Sequence, residues 1–272
     1  MTAPVSPPGN RAARAIADRD SVGARLAHAG WTWQLLALGL LLLAWWPLSI
    51  SMEPWVPTPL ATGESIVELL GDGEFYDDLY ATSRRIVTAF LAAGLAGVAI
   101  GLWMGLSKLA EQFFAPVVAI ALAIPDPVYV MFAVLTFGVG ERSTDLALVV
   151  AVTPFVVNIV RASVAARDPQ LDELARVYRF GAHRRYRDVL LPQLVPALLA
   201  AGRTSFALSW KIVVVVEGMS QPTGIGAAIL DSFNLLRTRE VFAYAIIFTV
   251  VMQVVEQAGV RLATRRALAW RS

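Results

Sequence analysis

Arg167-Asp168-Pro169-Gln170-Leu171-Asp172-Glu173-Leu174-Ala175-Arg176-Val177-Tyr178-Arg179-Phe180-Gly181-Ala182-His183-Arg184-Arg185-Tyr186-Arg187-Asp188 is a polar insert between two long apolar stretches. It closes on Val189-Leu190-Leu191-Pro192, where the apolar sequence resumes. An insert of this kind adds nothing to packing in so apolar a chain, so residues 167–188 read as an exposed segment on the basic side of a membrane. Asp168-Pro169 is a strong helix start, with Asp as N-cap and Pro at the first helical position, where its missing amide costs nothing. Asp172 and Glu173 fall in or near the first turn and the arginines come later, the order that suits a helix dipole. The spacing predicts a short helix from Pro169 to Tyr178 with Leu171, Leu174, Ala175 and Tyr178 on one apolar face. Such a face lies on a membrane or docks into a groove of another protein.

Composition names the solvent. Of 272 residues, 57% are hydrophobic and 16% charged, with a mean hydropathy of +0.59, whereas soluble domains carry about a quarter charged residues. This is an integral membrane protein. The net charge of +2 says little, because the location of the arginines decides orientation in a bilayer. Absence of cysteine excludes disulfides, Cys-ligated metals and thiol catalysis. At roughly 20 residues per span, five to seven helices fit, and no separate soluble domain. Residues 1–28, rich in Pro, Ala and Arg, are expected to be a disordered cytoplasmic tail rather than a cleaved signal, and residues 29–272 one transmembrane domain with its core at 80–265.

Six spans are expected. Trp31 to Ile50 carries no charge and has tryptophans near both ends. Ser51 to Tyr80 has seven acidic residues and no Lys or Arg, which makes it an outside loop. The second span runs from Ser83 to Ser107, with Gly97, Gly101 and Gly105 on one face as a small-residue surface for helix packing; that face is also a plausible contact with a second copy. The third, Phe113 to Phe137, is interrupted by Pro125-Asp126-Pro127 and must bend there. Gly138 to Asp145 is a short outside loop, Leu146 to Ala162 the fourth span, Leu194 to Val216 the fifth, Gly218 to Glu240 a polar segment with a turn at Gly224-Ile225-Gly226, and Val241 to Val260 the sixth. Arginines 261, 265, 266 and 271 follow it. Both termini then lie inside.

Ionisable groups within spans are costly and normally face a cavity or a partner. Asp126, Lys211 and Glu217 are therefore candidates for a translocation path, with Tyr129 and Ser209 beside them. A lysine in the path suits an anionic solute. The competing readings are a structural kink around Asp126 and an ion pair of Lys211 with Asp126 or Glu256. Arg84 and Arg85, near the outside end of the second span, are expected to snorkel to the interface; contact with an external binding protein is the alternative, for which the acidic outside loop is another candidate surface.

Glu173-Leu174-Ala175, Gly181 and Val189-Leu190-Leu191-Pro192 resemble the Glu-Ala-Ala, Gly, Ile-x-Leu-Pro pattern of the inner-membrane permease subunits of bacterial ATP-binding-cassette (ABC) importers. The glycine of that pattern falls on Arg179, two residues before Gly181, so the turn is expected to shift. Thr82 to Ile86, Pro125, Phe137 to Gly140, Asp168-Pro169, and Glu217 with Gly224-Ile225-Gly226 extend the resemblance over Tyr80 to Ser272, toward the branch carrying sulfonates, taurine, nitrate and bicarbonate. The resemblance implies an all-α, type I importer-like permease of six transmembrane helices with a cytoplasmic coupling helix in the bacterial inner membrane. It implies a homodimer, two cytoplasmic ATPase subunits that bind ATP and Mg, and an external substrate-binding protein. It also implies that Asp168, Leu171, Glu173, Leu174, Ala175, Tyr178, Arg179, Gly181 and Pro192 form the ATPase-coupling element. The chain itself is expected to hold no cofactor and no metal, to bind no nucleic acid and to catalyse nothing: it has no P-loop motif and no HExxH. The alternative is an ion-coupled secondary transporter using Asp126, Lys211, Glu217 and Glu256.

Overall fold

The computed structural model describes Trp33 and residues 36–267; the expected tail at 1–28, the start of the first expected span and Arg271 lie outside them. Two compact units divide the chain, Met1–Thr62 and Gly63–Ser272. In the first, α1 (Leu36–Ser51) is an apolar helix, and the chain after it is held by Trp45 Nε1 donating to the Pro57 carbonyl at 3.1 Å. Helix α2 (Pro59–Leu70) follows.

The second unit holds the helices α3 (Gly73–Leu106), α4 (Lys108–Ala123), α5 (Asp126–Phe137), α6 (Glu141–Ala165), α7 (Pro169–Val177), α8 (Leu191–Ser220), α9 (Ile225–Asn234) and α10 (Thr238–Ala267). A π-helical turn, Arg185–Leu190, leads into α8, making Arg185–Ser220 one continuous rod. Among the described residues, four helices are long and apolar enough to cross a membrane, and a fifth span is counted if α4 and α5 act as one. The first expected span, Trp31–Ile50, is only partly described, as the shorter apolar helix Leu36–Ser51, so the described residues show four or five spans where six are expected.

Pro125-Asp126-Pro127 does more than bend a span. The helices on either side meet at 99°, because Pro125 and Pro127 cannot donate into the preceding turn. Tyr129 fastens the corner, its hydroxyl donating to the Ala121 carbonyl at 2.6 Å. Two other boundaries move. The acidic run before Tyr80 is partly helical, since α3 begins at Gly73 with Asp72 capping the Glu74 amide at 3.1 Å. The loop expected to reach Asp145 ends at Gly140, where α6 starts.

α6 is the central helix. Half of its apolar core is buried, against 28% for α3 and for α10, and α3, α4, α5 and α8 all pack on it. The glycine face of α3 makes the closest of these contacts. A Cβ on Gly97, Gly101 or Gly105 would stand 2.5 Å, 2.8 Å and 2.5 Å from the Cβ of Val156, Val160 and Val164 respectively. The three glycines are thus filled by valines four residues apart within the same chain, which removes this face as a contact between copies. Close backbone approach of this kind is what holds helices together in lipid, where apolar burial alone gives no preference for protein over hydrocarbon.

Gly101→Ala places a methyl group 2.9 Å from the Val157 carbonyl oxygen. Overpacking of this size costs about 1–3 kcal/mol. The thermal unfolding midpoint in detergent is expected to fall, whereas Gly94→Ala, with open space around it, leaves it unchanged.

Candidate functional site

The ends of the long helices differ in kind. At one end, where α3 and α6 begin and α8 finishes, Arg85 is buried to 1% exposure and Glu217 to 0%. Arg85 was expected to snorkel; instead all of its donors are taken. Nη1 donates to Glu217 Oε1 at 2.7 Å and the Thr223 carbonyl at 2.8 Å, Nη2 to Glu141 Oε1 at 2.7 Å and Thr223 Oγ1 at 3.2 Å, and Nε to Glu141 Oε2 at 3.2 Å. The other oxygen of Glu217 accepts from Thr82 Oγ1 at 2.8 Å and the Gly226 amide at 3.0 Å. The Ile225 amide donates to Thr82 Oγ1 at 2.9 Å, and the Gly224 amide to Asp78 at 2.6 Å.

Gly224-Ile225-Gly226 is shaped by this cluster. Gly224 has φ +111°, and a Cβ on it would sit 2.6 Å from Glu217 Oε2; a Cβ on Gly226 would strike the Val214 carbonyl. Only glycine lets the backbone come this near. Alongside, the Gly140 amide donates to the Ser220 carbonyl at 3.0 Å, Thr144 and Ser220 share a hydroxyl bond of 2.7 Å, and Gln221 donates to Thr144 at 2.8 Å. Glu217, placed in the path by its position in the sequence, is thus a buried tie between α3, α6, α8 and α9.

At the opposite end of α6 the chain turns into α7. Asp168 caps it as expected, its carboxylate accepting from the Gln170 amide at 2.8 Å, while its own amide donates to Gln193 Oε1 at 2.9 Å. Gln193 also donates to the Val189 carbonyl at 3.0 Å, so one side chain links the start of α7 to the start of α8. Helix α7 ends in a Schellman turn: the Phe180 amide donates to Ala175 O at 2.9 Å and the Arg179 amide to Arg176 O at 3.0 Å. Arg179 takes the left-handed conformation, φ +51°. The turn has therefore not shifted to Gly181; arginine occupies the glycine position in register.

Ala175 is buried, whereas Leu171, Leu174 and Tyr178 are exposed. Glu173 is exposed too and forms no ion pair with a described residue. Leu171, Leu174, Phe180, Pro192 and Pro196 line a groove of about 790 Å³ between α7 and the beginning of α8.

Between the two ends, Lys211 is exposed on α8 with its Nζ 5.6 Å from the centre of the Trp210 ring. It pairs with neither Asp126 nor Glu256. Glu256 instead accepts from Trp210 Nε1 at 3.2 Å and Arg203 Nε at 3.4 Å. Ser209 is buried and donates to the Ser205 carbonyl at 2.8 Å. Asp126 is half-buried at the start of α5, near Tyr129. Sequence reasoning overlooked Arg203, although it stands inside the expected fifth span and carried the same cue as Lys211, a charge in apolar surroundings.

Residues 97–266 match the family described as binding-protein-dependent transport system inner membrane component. The chain is 30% identical over 247 residues, 89% of each protein, to a chain named as an aliphatic sulfonates transport permease protein, SsuC, of Bacillus subtilis (strain 168). It is 26% identical to the taurine transport system permease protein TauC of Escherichia coli (strain K12), covering 88% of this chain and 93% of that one. Among solved structures, an amino acid ABC transporter crystallised with histidines matches with TM-score 0.57 at 21% identity, over 75% of this chain and 96% of that one. The MetNI methionine ABC transporter in inward-facing form matches with TM-score 0.53 at 19% identity, over 66% and 94%. These two likenesses concern the fold.

Arg85→Ala leaves Glu217 buried without its cation, which costs about 3–5 kcal/mol. The yield of folded protein in membranes is expected to collapse, and Glu217→Gln in the same chain to recover part of it. Arg179→Gly relieves a left-handed L-residue and is expected to stabilise the α7 turn by up to about 1 kcal/mol, read as slower exchange of the Arg176–Phe180 amides.

Proposed function

The chain belongs to the family of binding-protein-dependent transport system inner membrane components, and on that premise we propose that α7 is the element through which a cytoplasmic ATPase drives it. As a permease subunit of an ABC importer, the chain does not hydrolyse ATP; a separate subunit does. The observation that carries the coupling proposal is the exposed Leu174, and Glu173 without an ion pair among the described residues, on a capped helix that is tied through Gln193 to the first turn of a membrane span.

A rigid connection is what the task requires. ATP binding becomes motion only if a single stiff element engages both proteins and favours one arrangement over the other. α7 is short, capped at Asp168 and closed by its Schellman turn, and only the segment 178–190 separates it from α8. A groove lined by Leu171, Leu174 and Phe180 leaves α7 room to shift against α8. In this reading α7 lies on the cytoplasmic side, both termini lie there too, and the membrane is the bacterial inner membrane.

Two copies are proposed to form the path, since one copy has too few spans to enclose one, and a homodimer is the simplest closed arrangement. An external binding protein would deliver a small, polar or anionic solute, as the sulfonate, taurine and nitrate permeases among the relatives support. Asp126 and Tyr129 at the α4–α5 corner and Lys211 on α8 are proposed to line the path. Ser209 and Glu217 are buried within the subunit and would act by holding α8. The ion-coupled alternative leaves α7 and its groove without a use.

Glu173→Arg and Leu174→Glu are each expected to lower substrate-stimulated ATP hydrolysis of the assembled transporter at least about tenfold, equivalent to about 1.4 kcal/mol, with the permease still inserted at normal abundance. Unchanged stimulation in both variants would remove α7 from the coupling role.

A further inference from the structure

Between α3, α8 and α10 lies an apolar groove of about 420 Å³. It follows α8 from Leu198 to Phe206, about 12 Å, and α10 from Val255 to Thr264, about 14 Å. The exposed Leu91 of α3 forms one edge. At the end away from α7, the rings of Phe90 and Phe206 meet edge to face at 5.7 Å. Gly202 and Gly259 leave the groove open between these walls, since a Cβ on either would have nothing within 4 Å.

The groove has the depth of a lipid. The apolar run of α10 ends at Val260 and Arg261 follows, so the hydrocarbon layer stops near that level. The groove begins beyond it at Thr264 and reaches Val255, about 9 Å of helix from Arg261. It therefore opens among headgroups and ends inside one leaflet, whose share of the hydrocarbon core is about 15 Å.

One cation stands in this apolar wall. The Arg203 side chain is 62% exposed and gives Nε to Glu256 at 3.4 Å, while its two terminal nitrogens have no hydrogen-bond partner among the described residues. Glu256 is buried and accepts from Trp210 as well, so it anchors the root of the guanidinium and leaves the fork outside. Helical side chains lean toward the helix N-terminus, which for α8 is the end beside α7, so the fork is carried toward the headgroups. Glu256 lies five residues from Arg261, about 7.5 Å of helix, a depth that an arginine spans by snorkelling. Hydrocarbon alone would leave those nitrogens unsatisfied, and water alone would wet the apolar walls. A molecule apolar along its length with an anion at one end satisfies both.

We propose that this groove holds one phospholipid of the leaflet on the α7 side, its phosphate diester on the fork of Arg203 and an acyl chain laid over Gly202 and Gly259. The fork presents parallel donors to two phosphate oxygens. A lipid seated there touches α3, α8 and α10 together and ties them at the end opposite the Arg85 cluster. The orientation proposed above makes this the inner leaflet, and the site itself does not depend on α7 acting as the coupling element.

The assembled transporter, purified in detergent, is titrated with palmitoyl-oleoyl phosphatidylglycerol or with the diacylglycerol of the same chains and read by native mass spectrometry. Each permease chain is expected to retain one phosphatidylglycerol about tenfold or more tighter than the diacylglycerol. Gly202→Leu and Gly259→Leu, each growing into open space, are expected to abolish retention of both lipids and to leave the thermal midpoint of the lipid-free transporter unchanged. Arg203→Gln with Glu256→Gln, which removes the ion pair as a unit, should bring phosphatidylglycerol down to the level of the diacylglycerol. Equal retention of the two lipids by the native chain, or retention untouched by both leucines, would overturn the proposal. So would separation of the permease copies by Gly259→Leu with the lipid count unchanged, which would place a second copy on this face. Failure of the α7 variants to alter ATP hydrolysis bears on none of these masses.

Discussion

The Arg85 guanidinium, buried between Glu217 and Glu141, is the interaction on which the arrangement of helices depends. An isolated ion in a low-dielectric interior costs several kcal/mol, and attraction offsets that cost only when geometry is good and every remaining donor finds an acceptor. Here the donors of Arg85 all do, and both oxygens of Glu217 are engaged as well. The result is directional where apolar packing is not. It sets α3, α6, α8 and the approach to α9 in one relative position, and the glycine–valine contacts of α3 and α6 carry that position along the length of the helices.

Much of this was legible in the sequence, and the part that was not has a common cause. Asp168-Pro169 announces a helix start because capping is local chemistry, and Pro125-Asp126-Pro127 announces a break because proline cannot donate wherever it sits. Gly97, Gly101 and Gly105 announce a packing face, but not whose side chains fill it. Gly224-Ile225-Gly226 announces a turn and Glu217 a charge within a span, but not that the two belong to one cluster; its reason is a carboxylate and a cation 132 residues apart in the chain. Long-range pairing leaves no periodic trace, so Arg85 looked like one more interfacial arginine.

Arg179 teaches a different lesson. A missing glycine suggested a displaced turn, since glycine enters left-handed backbone at no steric cost. The surrounding hydrogen bonds instead hold an arginine there. Two amides, on Arg179 and Phe180, bind carbonyls of α7, and a helix end satisfied in this way outweighs the roughly 1–2 kcal/mol that an L-residue loses in that conformation.

The polar cluster at the far end of α8 also governs how far things move. A stiff rod clamped at Glu217 behaves as a lever with its fulcrum there. Leu191 is 26 residues from that point, about 39 Å; Arg203 is 14, about 21 Å; and Lys211 is 6, about 9 Å. A displacement of a few ångströms delivered beside α7 therefore arrives at Arg203 reduced by about half and at Lys211 by about three quarters. The guanidinium would sweep while the ammonium scarcely stirs, giving one helix a moving cation and a nearly stationary one.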